Sequence, residues 1–151
     1  MDDMTFLKYV VAFTYGDGCI AKLKDHKNCR FQAAQLSRNK DYIEWRGDIF
    51  SSLTRIRYNT YNNDAGNEMI ATYTLDHPLY TRVYNRMYHA GRKTLDGHYL
   101  KLFDWETLAI FYQDDGNWRF RPQCRSKTPE VRIASHRIIL RMRKIYYLSV
   151  R

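Results

Sequence analysis

Cysteine is scarce and long apolar runs are absent. The three cysteines, Cys19, Cys29 and Cys124, are an odd number with no metal-site spacing, which argues against a disulfide framework and points to reduced packing thiols. The five histidines, His26, His77, His89, His98 and His136, also lack ligand spacing. No stretch of about 18 apolar residues occurs, so no helical membrane span is expected. The start, MDDMTFLKYV, is acidic before a short apolar run, which is wrong for a secretory signal. An intracellular protein is expected, in a bacterial or phage cytoplasm or an organelle matrix. Acidic residues are also missing from one end. Residues 1–116 hold 15 Lys/Arg and 15 Asp/Glu, whereas residues 117–151 hold 10 Lys/Arg and the single acid Glu130. The net charge of +9 therefore lies after position 116. With 44% hydrophobic and 15% aromatic residues over 151 positions, the chain can bury a sizeable core. A basic surface beside clustered carboxylates fits a nucleic-acid partner.

Two stretches organise the rest. Leu108–Gly116, LAIFYQDDG, and Val10–Gly18, VVAFTYGDG, align without gaps and end in Asp115-Gly116 and Asp17-Gly18. Each reads as a tight apolar helix with a carboxylate at its foot. A carboxylate at a helix C-terminus opposes the helix dipole, and its occurrence twice implies a functional reason. Packed side by side, the two helices would bring their acids together at the bottom of the contact.

Taken in order, Met4–Gly16 reads as a helix apolar around much of its circumference, hence buried on several sides. Cys19–Lys24 and Cys29–Leu36 alternate as a strand pair around a polar turn. Lys22, Lys24, Arg30, Gln32 and Gln35 are expected on one polar face, as phosphate and base-edge readout requires. Ser37 is expected to cap a helix over 41–57, whose stripe Tyr42, Trp45, Ile49, Leu53 and Ile56 reads as core. Residues 58–64 and 67–75 form a second strand pair, and Tyr58 and Tyr61 are candidate nucleic-acid contacts. Pro78 opens a helix to Ala90, ended by Gly91. A linker spans 94–103, and Asp104 caps the second motif helix. Strands follow over 117–121 and 131–135, then a basic helix over 136–148. Three parts result: a first unit over 1–93, a linker over 94–103, and a partial second unit over 104–151. The first has the order αββαββα and the second repeats only αββα. This is an α+β architecture with an incomplete internal repeat.

The paired motifs, the αββαββα order between them, FQAAQ at Phe31–Gln35 and the basic turn Arg92-Lys93-Thr94 resemble the LAGLIDADG homing endonucleases, in their double-motif, intron-encoded form. The resemblance covers residues 4–136. It implies motif helices packed at a pseudo-twofold axis and a β-saddle set into the DNA major groove. It implies Asp17 and Asp115 as catalytic metal-binding carboxylates, with ligands also at Gly16 and Asp114, and Mg²⁺ (or Mn²⁺) as cofactor. Lys93 and Gln35 are the implied companions in catalysis. Lys22, Lys24, Arg30, Gln32, Tyr58, Tyr61, Arg119, Arg121, Arg125 and Arg132 are the expected DNA contacts. The resemblance thus implies a site-specific metal-dependent DNA endonuclease making a double-strand break in a long target.

The alternative is a non-cleaving nucleic-acid-binding protein on the same scaffold, an intron RNA maturase or a DNA-binding regulator. Both acids favour the nuclease, while the short second half favours the alternative. That half has no counterpart of Lys93 beyond the candidates Arg141, Arg143 and Lys144. Self-association or a partner subunit is then expected to complete the second unit, with double-stranded DNA or intron RNA as the other partner and no membrane. The five basic residues within 137–151 give the first prediction. Deleting that segment should weaken DNA binding and lower the slope of log K against log salt by up to about 4, because each neutralised phosphate releases counterions. An unchanged slope in a salt titration would contradict the assignment.

Overall fold

The computed structural model describes residues 2–94, 96–119 and 130–133, the residues after Asp114 in backbone only. Helix α1 runs Asp3–Tyr15. It begins where the Asp2 carboxylate accepts the Met4 and Thr5 amides at 3.0 and 2.9 Å, satisfying donors that a first turn leaves open. Nine of its residues from Phe6 to Tyr15 are buried, as a helix apolar on all sides requires. Strand β1, Cys19–Ala21, and strand β2, Arg30–Leu36, pair antiparallel. After a 3-10 turn over Ser37–Asn39, helix α2 spans Lys40–Ser51. Strands β3, Ile56–Asn62, and β4, Glu68–Thr74, complete a four-stranded antiparallel sheet in the order β1-β2-β4-β3. Helix α3, Pro78–Met87, closes the unit, with Pro78 in its first turn and the His77 ring accepting the Leu79 amide at 3.2 Å.

A tight hairpin follows. Strand β5, Tyr88–His89, pairs with β6, Arg92–Lys93. Its two-residue loop has Ala90 and Gly91 both at positive φ, 50° and 74°, the conformation that matches strand twist in such loops. A short helix α4, Gly97–Leu100, leads to α5, Trp105–Asp115. Asp104 caps α5 by accepting the Thr107 amide at 3.0 Å. Strands β7, Gly116–Arg119, and β8, Glu130–Ile133, pair antiparallel beyond it.

The core lies where α1, α2 and α3 meet the inner face of the sheet. Phe31 stacks on Phe50 at 4.3 Å, and both rings contact Phe13. Each is fully buried, worth roughly 1.5–3 kcal/mol apiece in transfer free energy. Helix α5 covers the opposite side of α1. Lys8 reaches across to Asp104 at 2.6 Å and Glu106 at 3.1 Å, and the Tyr9 hydroxyl donates to Glu106.

The elements follow the expected order, with local corrections. Helix α2 starts at Lys40, and Ser37 begins the 3-10 turn without capping it. Trp45 is 41% exposed, and Ile43, Ile49 and Phe50 form the buried stripe. The α3 helix ends at Met87 because Tyr88 stacks on Tyr84 and accepts the Ile20 amide at 3.0 Å, drawing the chain into the hairpin. Within 94–103 the chain turns helical at α4, where Asp96 accepts the His98 and Tyr99 amides. The basic helix expected over 136–148 lies outside the described residues.

Gly18 tests the packing. A Cβ there would lie 2.4 Å from the Phe31 ring and 2.6 Å from the Phe13 carbonyl oxygen, whereas one on Gly97 would meet nothing. Gly18→Ala should therefore cost about 1–3 kcal/mol or more, and Gly97→Ala close to nothing. Urea unfolding of the two variants reads the difference directly; equal midpoints would show that the close approach at Gly18 is absent.

Candidate active site

The feet of α1 and α5 meet at Gly16. A Cβ there would fall 2.2 Å from the Asp114 Oδ2 atom, so the absence of a side chain is what admits that carboxylate. Asp114 Oδ2 accepts the Asp17 amide at 3.3 Å. From β2, the Gln35 Nε2 amide donates to both acids, 3.2 Å to Asp17 Oδ2 and 3.0 Å to Asp114 Oδ1. From α2, the Tyr42 hydroxyl donates to Asp114 Oδ1 at 2.8 Å. One amide thus spans carboxylates 97 residues apart in sequence.

Burial, and then the charge of Asp17, push the Asp114 carboxyl up to about 6, although Tyr42, Arg46 and the Asp17 amide favour its ionised form. Burial and the same carboxylate also hold the Tyr42 phenol well above its ordinary value. Gln35 Oε1 is buried without a hydrogen-bond partner among the described residues. Two carboxylates and this orphaned amide oxygen make a set of hard oxygen donors, which suits Mg²⁺ or Mn²⁺ rather than a soft metal. No group of three or more His, Cys, Asp or Glu side chains with metal-binding geometry occurs among the described residues.

Lys93 arrives on the β5–β6 hairpin. Its ammonium donates to the carbonyls of Thr14, Gly16 and Gly18 at 2.7, 2.9 and 3.2 Å. A cation on the last carbonyls of α1 offsets the negative end of the helix dipole and fixes the backbone on both sides of Asp17. The Gly16 carbonyl, implied as a metal ligand, is therefore a lysine acceptor here.

Strand alternation sorts the remaining candidates. Gln35 is buried with Phe31 and Ala33 on the inner face, while Arg30, Gln32, Ala34 and Leu36 turn outward. The expectation that Gln32 and Gln35 share a face is thus corrected: three residues apart on a strand, they cannot. On the outer face the register aligns Gln32, Tyr73 and Arg57 in one row across three strands. The Arg30 guanidinium sits 5.3 Å over the Tyr73 ring. Here an open groove of about 430 Å³ is lined by Arg30, Arg57, Asn59, Tyr73, His26 and Asp76. Lys22 and Lys24 lie beyond the end of β1 and are both exposed. Tyr61 is 41% exposed. Tyr58 places its hydroxyl over Gly47 of α2, on the opposite side of β3 from Tyr61. Arg119 and Arg132 fall on β7 and β8 in backbone only; Arg121, Arg125 and the Asp115 side chain lie outside the described residues.

Sequence reasoning treated Tyr42 as core and passed over Arg46, although a charge at an apolar stripe position of α2 was visible. Asp114, implied as a further ligand beside Asp115, is the acid of the second motif that meets Asp17 among the described side chains.

These features agree with the comparisons. The sequence matches the LAGLIDADG DNA endonuclease family over residues 14–146, and the chain belongs to that family. It is 28% identical over 123 residues to the RecA proteins of Mycolicibacterium chitae and Mycolicibacterium flavescens, covering 80% of this chain and 28% of theirs. The chain thus spans little more than a quarter of those relatives. Its fold is similar to that of the homing endonuclease I-WcaI bound to its DNA recognition sequence, with a TM-score of 0.65 at 21% identity, covering 83% of this chain and 56% of that one. No helix among the described residues is long and apolar enough to cross a membrane.

The Asp114 environment makes a pH prediction. Its ordinary value is 3.8, so between about pH 4 and 6 the folded protein holds a proton that the unfolded chain has released. Stability from this group therefore falls as pH rises through that window, by roughly 2–3 kcal/mol in all. In EDTA, Asp114→Asn should flatten that slope in urea unfolding. Identical pH dependence in wild type and variant would falsify the assignment.

Proposed function

We propose that the chain is a divalent-metal-dependent endonuclease that binds double-stranded DNA on the outer face of its sheet and hydrolyses phosphodiester bonds at the foot of α1 and α5. The observation that carries this reading is the Gln35 amide bridging Asp17 and Asp114 beneath a sheet whose other face carries Arg30, Gln32, Arg57, Asn59 and Tyr61. Asp17 and Asp114, with Asp115 as the last residue of α5, are the residues that would hold the cation; Gln35 contributes its free amide oxygen. When bound, Mg²⁺ or Mn²⁺ supplies activation of water and charge stabilisation at a phosphate.

The protein's own residues do the positioning. Gln35 holds the two carboxylates at a fixed separation. Lys93 immobilises the backbone around Asp17 and brings a positive charge to the place where a phosphate would gain negative charge. Arg30, braced on Tyr73, presents a fixed guanidinium to base edges or phosphates. Residues 104–151 are proposed as belonging to a second unit beside the first, and a double-strand break in a long target as the outcome of cutting.

Cleavage of a randomised duplex library in Mg²⁺, with parallel selection of bound DNA in Ca²⁺, tests the reading. The expected result is a discrete cut site for the wild type. Asp17→Asn and Asp115→Asn should each lower cutting by roughly 10²–10³-fold or more, since each removes transition-state charge stabilisation, and leave Ca²⁺ selection in place. Cutting that survives both changes would remove these acids from the mechanism. Selective binding with no cutting at all would favour the non-cleaving alternative.

A further inference from the structure

Arg46 lies one turn beyond Tyr42 on α2, and its side chain is fully buried. None of its three guanidinium nitrogens has a hydrogen-bond partner among the described residues. Its guanidinium sits 5.7 Å from the centre of the Tyr42 ring, and the Tyr58 hydroxyl packs against the next residue, Gly47. A guanidinium does not shed its proton in a protein, so a full positive charge stands in the interior without a hydrogen bond to the described residues. Packing does not account for it. The neighbouring positions Ile43, Ile49 and Phe50 are apolar and buried, and a buried ion is ordinarily no more stabilising than a hydrophobe of its size.

The charges around it supply the reason. Burial disfavours its charged form, and against burial stand Asp114 first, then Tyr42, Asp17 and Tyr58. In return, Arg46 is a cation among the groups that favour the ionised form of Asp114. It stands on α2 against the ring of Tyr42, whose hydroxyl donates to Asp114 at 2.8 Å, whereas Lys93 donates to carbonyls at the foot of α1. A charge in a low-dielectric interior acts over several ångströms without contact. A planar, weakly hydrated guanidinium braced on an aromatic ring tolerates that position better than an ammonium would.

We infer that Arg46 is a fixed internal counter-cation of the carboxylate pair, a positioning residue that holds Asp17 and Asp114 together in the metal-free protein and opposes the binding of a divalent ion there. The inference rests on the reading of those acids as divalent-cation ligands. Its consequence is regulatory. The protein alone loads metal weakly, so full loading depends on the negative charge that a nucleic-acid phosphate brings to the same place.

Calorimetric titration of the full chain with CaCl₂, without DNA and at low salt, tests this on wild type, Arg46→Met, Arg46→Gln, Arg46→Lys and Asp17→Asn. The neutral variants should bind Ca²⁺ about tenfold or more tightly, because a buried repelling charge has been removed. Arg46→Lys should keep the wild-type affinity. Neutral variants with wild-type affinity, or a gain shared by Arg46→Lys, would overturn the inference, since a packing role does not distinguish charge. Thermal unfolding supplies the second readout: Ca²⁺ should raise the Tm of the neutral variants more than that of the wild type. Neutral variants that fold only with Ca²⁺ support the proposal, and variants that fold with neither EDTA nor Ca²⁺ overturn it. Asp17→Asn separates the two levels. If Ca²⁺ binding is indifferent to it, or absent from wild type and neutral variants alike, the metal-site reading itself fails.

Discussion

The close approach of two helices at a residue without a side chain governs this molecule. Gly16 leaves room for the Asp114 carboxylate, whose Oδ2 atom would stand 2.2 Å from any Cβ placed there. The far ends of the same helices are tied by Lys8 to Asp104 and Glu106. There, burial of the Asp104 carboxyl is outweighed by hydrogen bonds from Lys8 and Thr107, which bring it down to about 2. One end of the helix pair is therefore ordinary ion pairing at the surface. The other end concentrates negative charge, with Asp17 exposed and Asp114 half-buried.

That concentration would be unfavourable alone, and the surrounding elements answer it from separate directions. The sheet sends in Gln35, α2 sends Tyr42 and Arg46, and the β5–β6 hairpin sends Lys93. None of these donors is close to either acid in sequence. The site is consequently a property of the assembled unit: a shift of α2 along the sheet would withdraw two of the four groups together. Lys93 also binds backbone, donating to the Thr14, Gly16 and Gly18 carbonyls, and so stabilises the shape of the turn.

Much of this was legible in the sequence because it rests on local rules. Two Asp-Gly steps after apolar runs marked the helix feet, Pro78 and Asp104 marked helix starts, and alternation over Phe31–Gln35 marked a strand. Helix α1, apolar on all sides, announced that something must cover its second side. Long-range packing hid the rest. Trp45 satisfies the helical stripe but sits at its edge, packed against the Phe13 and Tyr42 rings and otherwise exposed. Tyr88 has the pattern of a helix continuation and leaves it for the Ile20 amide. Arg46 occupies a core position that a sequence reading assigns to an apolar residue, and only the placement of Asp114 and Asp17 around it explains a charge there.

Strand β2 shows how one short segment serves both proposed tasks. Its residues alternate between faces, so Arg30 and Gln32 turn toward the open groove while Gln35 turns inward to the acids. An even spacing between Gln32 and Gln35 would put both on one face, leaving either the carboxylates without their bridge or the outer face without an amide. The antiparallel register then aligns Gln32 with Tyr73 and Gln35 with Ile70, fixing how far along the sheet the outer contacts stand from the acid pair. A sheet two residues out of register would keep the inward and outward faces and break this relation. The distance between recognition and chemistry is thus set by backbone hydrogen bonds in the interior of the unit, where a partner nucleic acid has least power to change it.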